Sequence, residues 1–233
     1  MLLYSSLKWV ISNIILIMSY KSNKYSLDAQ GVGNDLYVKF IQTAYNMVND
    51  GVKNSVKIFN NDPGQFEYRS AKAVWLNSNI KKLFNNNLVL DNFLTKKINR
   101  LKSHGVDYYV LDGKALICFK KMDNKSKISG FYSKRFKDMM DGNAIHYSTN
   151  MLQNLSEMGI NKALPIYYIG YILDKTGNLV DIRLVHYNDG IVAYEVSLVE
   201  IFRPNLFNIN TNDTTDEIKV VSKKRKGNQQ TGS

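Results

Sequence analysis

The sequence predicts an α+β fold in which N-terminal helices pack on an antiparallel sheet of about five strands. Three observations carry that prediction. Apolar residues recur at helical spacing through residues 35–103. From Val106 the spacing switches to period two. Asp112-Gly113, "DKTGN" and "NDG" then supply Gly-containing hairpin joints between the period-two runs.

The first helix is expected over Asp35–Asn49, where Leu36, Phe40, Ile41, Ala44, Tyr45 and Val48 share one face. Asn34 or Asp35 caps its start, and Gly51 lies just past its end. "NNDPGQ" at 60–65 reads as a turn, with Pro63 fixing one torsion and Gly64 permitting the reversal. A second helix is expected from Phe66 to Asn85, with Ala73, Leu76, Ile80, Leu83 and Phe84 inward and Val74 and Trp75 widening the stripe. Arg69, Lys72, Lys81 and Lys82 fall largely off it, and "NNN" at 85–87 stops it. A third helix is expected over Asp91–Ser103, capped by Asp91 and stopped by Gly105. Leu94, Ile98 and Leu101 would point inward, and Lys96, Lys97 and Arg100 outward with Lys102 beside them.

The strands follow. Val106–Leu111 and Lys114–Lys121 form a hairpin about Asp112-Gly113. Both faces of "ALICF" are apolar, which suits a central strand. A polar, basic connection over 122–143, with one helical turn near Lys134–Met140, leads to a short helix over Tyr147–Met158 ended by Gly159. Ile166–Leu173, Leu179–Tyr187 and Ile191–Val199 complete the sheet as a meander, one face core and the other open to solvent or a partner. The expected organisation is an apolar leader and polar arm over 1–34, a single domain over 35–202, and a disordered basic tail over 203–233.

The chain of 233 residues fits one domain with a sizeable core, and 44% hydrophobic and 12% aromatic residues make it globular. Cys118 is the one cysteine, which excludes an intrachain disulfide and a Cys-based zinc site and suits the cytoplasm. "MLLYSSLKWVISNIILIM" falls short of a spanning helix, because Lys8, Ser12 and Asn13 interrupt it. It also lacks a small-residue cleavage site. Met18 offers an alternative start, so the upstream segment is read as dispensable, with a membrane anchor as the lesser alternative.

Net charge is +11, and it is unevenly spread. Residues 66–103 carry eight Lys or Arg against Glu67 and Asp91, a net of +6. Residues 114–137 carry eight against Asp123, a net of +7, whereas 138–202 carry a net of −5. Such asymmetry points to an anionic partner for the middle of the chain and a protein partner for the acidic 138–202 segment. An AT-rich codon bias, which favours Lys, Asn, Ile and Tyr, accounts for part of the lysine count but not for the acidic segment.

Two constellations compete. A metal-dependent nuclease of the PD-(D/E)XK kind would use Glu67, Asp107, Asp112 and Lys120 with Mg²⁺. Cys118 stands two residues before Lys120, where that motif needs a carboxylate, and a thiol is a poor ligand for Mg²⁺. Asp112 has a purely conformational reason to occupy a tight turn. The reading that follows is of a degenerate site with no cofactor. Cys118 sits in an apolar run as inert cysteines do, and His104, His146 and His186 are scattered singly. "GVGND" at 31–35 lacks the strand and lysine of a phosphate loop. The competing constellation is a basic surface of Lys96, Lys97, Arg100, Lys120, Lys121, Lys125, Lys127, Lys134, Arg135 and Lys137. Lys114 belongs to the same run, with Phe131 and Tyr132 interleaved to stack on bases and "KKRK" in the tail adding phosphate contact. The bland reading of the basic constellation is a solvated, lysine-rich surface.

"SAKAV" at 70–74, "CFKK" at 118–121 and "LP…GYILDKTGNLVDI" from Leu164 give the chain a family resemblance over about Phe66 to Val199. It resembles uncharacterised bacterial proteins of mobile elements and defence systems. The chain departs from that pattern at "LNSN" (76–79), where a His-Asp pair is expected, and around Ala193–Tyr194, where a Trp is expected. The resemblance implies a bacterial, intracellular setting and no particular chemistry. The expected function is a non-enzymatic nucleic-acid-binding or regulatory protein. The divergent nuclease and a protein-interaction module are the alternatives.

Overall fold

Helix α1 spans Asn34–Asn61 in the computed structural model, which describes residues 23–64, 66–103, 105–128 and 149–202. It runs well past the expected end at Asn49. Gly51 does not stop it but lies within it, buried against Ile80 of the next helix. The stop comes where Asp62 precedes Pro63, a position that disfavours helical backbone. Helix α2 spans Arg69–Leu90 and runs through "NNN". Leu88 is buried in the core, and Asn85 accepts a hydrogen bond from the Tyr109 hydroxyl at 2.9 Å. Those contacts outweigh the modest helical penalty of asparagine.

The expected third helix divides. Helix α3 covers only Asn92–Lys97, with Asp91 capping it by accepting from the Phe93 and Leu94 N–H groups. The chain then becomes strand β1, Ile98–Ser103, which pairs with β2, Val106–Leu111. Ile98 and Leu101 suit either pattern by spacing. In a helix they would share a face; here Ile98 enters the core on one side of the sheet and Leu101 the core on the other. Pairing with β2 satisfies one edge of the 98–103 backbone and puts Arg100, with Ile98, on the face of the sheet toward α2.

Asp112 and Gly113 both have positive φ (48° and 64°), as a two-residue hairpin turn requires, and lead into β3, Ala115–Met122. Helix α4 covers Thr149–Glu157. Strands β4 (Ile166–Leu173), β5 (Leu179–Asn188) and β6 (Ile191–Ser197) follow, and α5 (Leu198–Phe202) replaces the expected end of the last strand. The six strands lie in chain order, β1 to β6. Every pairing is antiparallel except β3 with β4, which is parallel. The sheet is thus two three-stranded meanders joined side by side.

Both faces are covered. On one, α1, α2 and α5 bury Phe40, Ile80, Phe84 and Leu198 against Tyr109, Ile117, Phe119, Tyr167 and Ile182. Phe84 lies edge-on to Tyr109 and Phe119, with ring centroids 4.8 and 5.0 Å away. On the opposite face, Met151 and Leu155 of α4 and Ile128 pack on Cys118, Tyr168, Val185 and Tyr187. The second face is therefore not the open surface that strand alternation suggested. The domain also begins earlier than residue 35. Leu27 and Val32 are buried in the helical-face core, the Tyr25 carbonyl accepts from the Tyr167 hydroxyl at 2.6 Å, and Asn23 Nδ2 donates to the Ala193 carbonyl on edge strand β6. The leader through residue 22, the helical turn expected near Lys134–Met140 and the 203–233 tail lie outside the described residues. Among the described residues no helix is long and apolar enough to cross a membrane.

Candidate nucleic-acid interface

The basic residues divide between the two ends of the sheet. At the end where β1 and β3 begin, Lys96 is exposed and Lys97 donates to Asp112 Oδ1 at 3.0 Å. A cavity of about 220 Å³ opens there, lined by Asp35, Asp112, Lys97 and Phe93 among others. Its two carboxylates and one ammonium do not favour an anion.

Arg100 sits mid-strand opposite Tyr109 and is turned toward Asp107. Its Nε and Nη2 donate to Asp107 Oδ1 at 3.0 and 2.6 Å, and Lys81 of α2 donates to Oδ2 at 2.8 Å. Asp107 is 7% exposed. Burial pushes its carboxyl up, but the hydrogen bonds from Lys81 and Arg100 outweigh that and hold it below the usual carboxylate range. One buried acid thus gathers two cations at the start of β2.

The other end of the sheet collects the rest. Lys102 of β1 pairs across from Asp107, Lys120 and Lys121 close β3, and exposed Lys125 and Lys127 follow in the next loop. Lys175, in the β4–β5 turn, lies at the same end. The acids there are engaged locally. Asp123 Oδ1 accepts the backbone N–H groups of Lys125 and Lys127, each at 2.9 Å. Asp174 Oδ1 accepts those of Thr176 and Asn178, each at 2.8 Å.

The 123–128 loop is fixed from below by Arg183 of β5. Its Nη1 donates to the Asn124 carbonyl, Ser126 Oγ and Glu195 Oε1 at 3.2, 2.9 and 2.7 Å, while Nε donates to Asp181 Oδ2 at 2.6 Å. The Tyr187 hydroxyl donates to the Ser126 carbonyl. Gly170 leaves the space that the Met122 side chain fills. Lys125 and Lys127 are therefore presented on an anchored loop. The same network ties Asp181 and Glu195 of the acidic segment to Arg183, so neither carboxylate stands unpaired for a protein partner. Lys134, Arg135 and Lys137, with Phe131 and Tyr132, lie outside the described residues.

The four residues of the nuclease constellation do not converge. Asp107 faces the helical layer, through Lys81. Lys120 faces the opposite layer, because Phe119 before it points to the helical core and Cys118 two before it to the other. Asp112 is in the turn at the far end, paired to Lys97. Glu67 is exposed ahead of α2, and the helix between it and Lys81 is roughly 20 Å long. Among the described residues no three of His, Cys, Asp and Glu come together as metal ligands.

No family model matches the chain, and neither a curated protein nor a solved structure matches it at a significant level.

At the two positions where the sequence departs from the expected family pattern, this chain uses its residues to pack. Asn79 of "LNSN" donates to the Gly51 carbonyl and to Ser55 Oγ, each at 3.2 Å, and Tyr194 is buried beside Tyr37 and Tyr167. Cys118 and His186 are structural as well. Burial pushes the Cys118 thiol up to about 11. His186 Nδ1 lies 2.8 Å from the Ile166 carbonyl, which can only accept, so Nδ1 carries the proton. Lys81 and Lys102 are not among the residues that the sequence assigns to the basic surface. The signal for Lys102 was its place two residues before a Gly-containing turn, which belongs to a hairpin rather than a helix end. Lys81 had no local signal, since only the packing of α2 on β2 brings it to Asp107.

Proposed function

We propose that the protein is a non-enzymatic, intracellular nucleic-acid-binding protein that serves a bacterial mobile element or defence system in a regulatory role. The observation that supports this most is the gathering of Lys102, Lys120, Lys121, Lys125 and Lys127 at one end of the sheet, from two strands and an anchored loop. Lys120 to Lys127 form one basic run in the sequence, and the pairing of β1 with β2 adds Lys102 beside it. Positive side chains on fixed backbone match a phosphate backbone and displace its counterions on binding. The resemblance in "CFKK" and "GYILDKTGN" supports the mobile-element setting. The single buried thiol suits the reducing cytoplasm.

The test is a gel-shift series with DNA and RNA at increasing salt. Binding at low salt with a steep, log-linear loss of affinity as salt rises is the expected result. Replacing Lys125 and Lys127 together by glutamine should make that slope shallower by about two, one per phosphate contact removed. No binding at low salt, or affinity indifferent to salt, rejects the reading.

A further inference from the structure

Helix α2 is longer than the sheet it covers. Lys81 reaches Asp107, the second residue of β2, so the end of the sheet lies near the level of Lys81. Arg69–Asn79 precede it, roughly 16 Å of further helix. Ser70, Ala73 and Val74 repeat, seven residues earlier, the positions of Asn77, Ile80 and Lys81. Lys81 meets the sheet at Asp107 and Ile80 packs on Gly51 of α1, so Val74 looks toward the sheet side of α2. Yet Ile80 is fully buried, while Ser70 and Ala73 are exposed and Val74 is 68% exposed. The overhang is braced by α1, whose Gly51 touches Ile80, and by the tilted and edge-on ring contacts of Phe59, Phe66 and Trp75.

The underside of this overhang starts from the basic end of the sheet, where Lys81 reaches Asp107. Arg100, Lys102, Asp107 and Lys121 all alternate onto the helical face of their strands, the face from which α2 projects.

Resting on the reading of the protein as a nucleic-acid binder, we propose that this corner is the seat of a single-stranded nucleic acid. Lys102 and Lys121 face its phosphates, and the small apolar surface of Ala73 and Val74 receives an unpaired base. A duplex keeps its base faces stacked inside and would leave that apolar surface unused.

The native thiol makes the test clean, because Cys118 is the one cysteine and is buried. Val74→Cys places a reactive thiol in the corner. Ile191→Cys, 71% exposed where β6 begins, serves as the control. Maleimide labelling of each is timed with and without oligo(dT), and with a duplex of equal length. Oligo(dT) should slow labelling at position 74 several-fold, the duplex should slow it less, and position 191 should be unaffected. Lys102→Glu in the native background should weaken oligo(dT) binding several-fold. Oligo(dT) that binds without protecting position 74 overturns the seat while leaving nucleic-acid binding intact. Protection by duplex equal to or greater than that by oligo(dT) overturns the single-strand assignment. Failure of every nucleic acid to bind at low salt rejects the underlying reading.

Discussion

Gly51 and Ile80 are in direct contact across the α1–α2 interface: a Cβ built on Gly51 would lie 2.7 Å from Ile80 Cγ1 and 3.2 Å from its Cα. The absence of a side chain lets the two helices approach closely enough for Asn79 to hydrogen-bond the Gly51 carbonyl. It also carries the helical pair past the edge of the sheet as one body.

Gly51→Ala is therefore expected to destabilise the protein, against helix propensity. Alanine in a helix is favoured over glycine by about 1 kcal/mol. Overpacking against a neighbour's backbone costs about 1–3 kcal/mol, and Ile80 Cα cannot rotate out of the way as a side-chain atom can. The net expectation is a loss on the order of 1 kcal/mol. Urea denaturation of the variant checks this, and a higher midpoint than the parent protein's would contradict the packing argument.

Much of the fold was legible because local signals and packing agreed. Asp112-Gly113 specified its turn, "ALICF" its central place between two packed faces, and the Gly-containing joints the β4–β6 meander. The reading failed where one spacing served two structures. Leu94, Ile98 and Leu101 satisfy a helix, and only the register with β2 makes 98–103 a strand. Gly51 looked like a stop, though its role depends on a residue in another helix. The site was less legible still. Lys120 and Lys121 are adjacent in sequence but sit on opposite faces of β3, whereas Lys81 and Asp107 are 26 residues apart and bonded. Charge counted along the chain finds the basic region, not the face or end on which each charge lies.

Arg183→Lys should loosen the 123–128 loop while leaving the sheet folded. A guanidinium donates in several directions at once, here to Asp181, Glu195, Ser126 and the Asn124 carbonyl. An ammonium at the end of a flexible stem cannot span the same set. A loss of about 1–2 kcal/mol is expected for these partly buried, charge-assisted bonds. Limited trypsin digestion reads the local effect: cleavage after Lys125 or Lys127 should accelerate in the variant. Unchanged cleavage there would mean that Arg183 does not hold the loop.

His186 should make stability depend on pH on the acidic side of neutrality. Burial holds its imidazole below the ordinary value of 6.5, between the rings of Tyr25 and Tyr167 at 5.4 and 4.8 Å. The folded state favours the neutral ring and the unfolded state binds the proton more readily. Stability from this group is thus fully present above 6.5 and declines as pH falls below it, toward the lower folded value. Thermal melts across that range should show a falling Tm in the parent protein. His186→Phe should flatten that part of the profile, and an unchanged slope in the variant would assign the effect elsewhere.

Asp107→Asn separates stability from function at the candidate site. The carboxylate is buried under Lys81 and Arg100, and removing its charge leaves the Lys81 ammonium, whose side chain is 19% exposed, without a counter-charge. A loss of about 2–3 kcal/mol is expected, discounted because Arg100 is half exposed and can turn to water. The folded carboxyl is held below its unfolded value of 3.8, so its stabilising contribution is present above that pH and is lost as pH falls through the lower folded value. The acid-unfolding midpoint of the parent protein should reflect this, and the variant should lose that portion of the pH dependence. The substitution also removes one negative charge beside Lys102. As a nucleic-acid binder, the variant should bind oligonucleotides at least as tightly as the parent at low salt. A nuclease that used this carboxylate would instead lose cleavage in Mg²⁺ or Mn²⁺. Cleavage by the parent protein that disappears in Asp107→Asn would overturn the non-enzymatic reading.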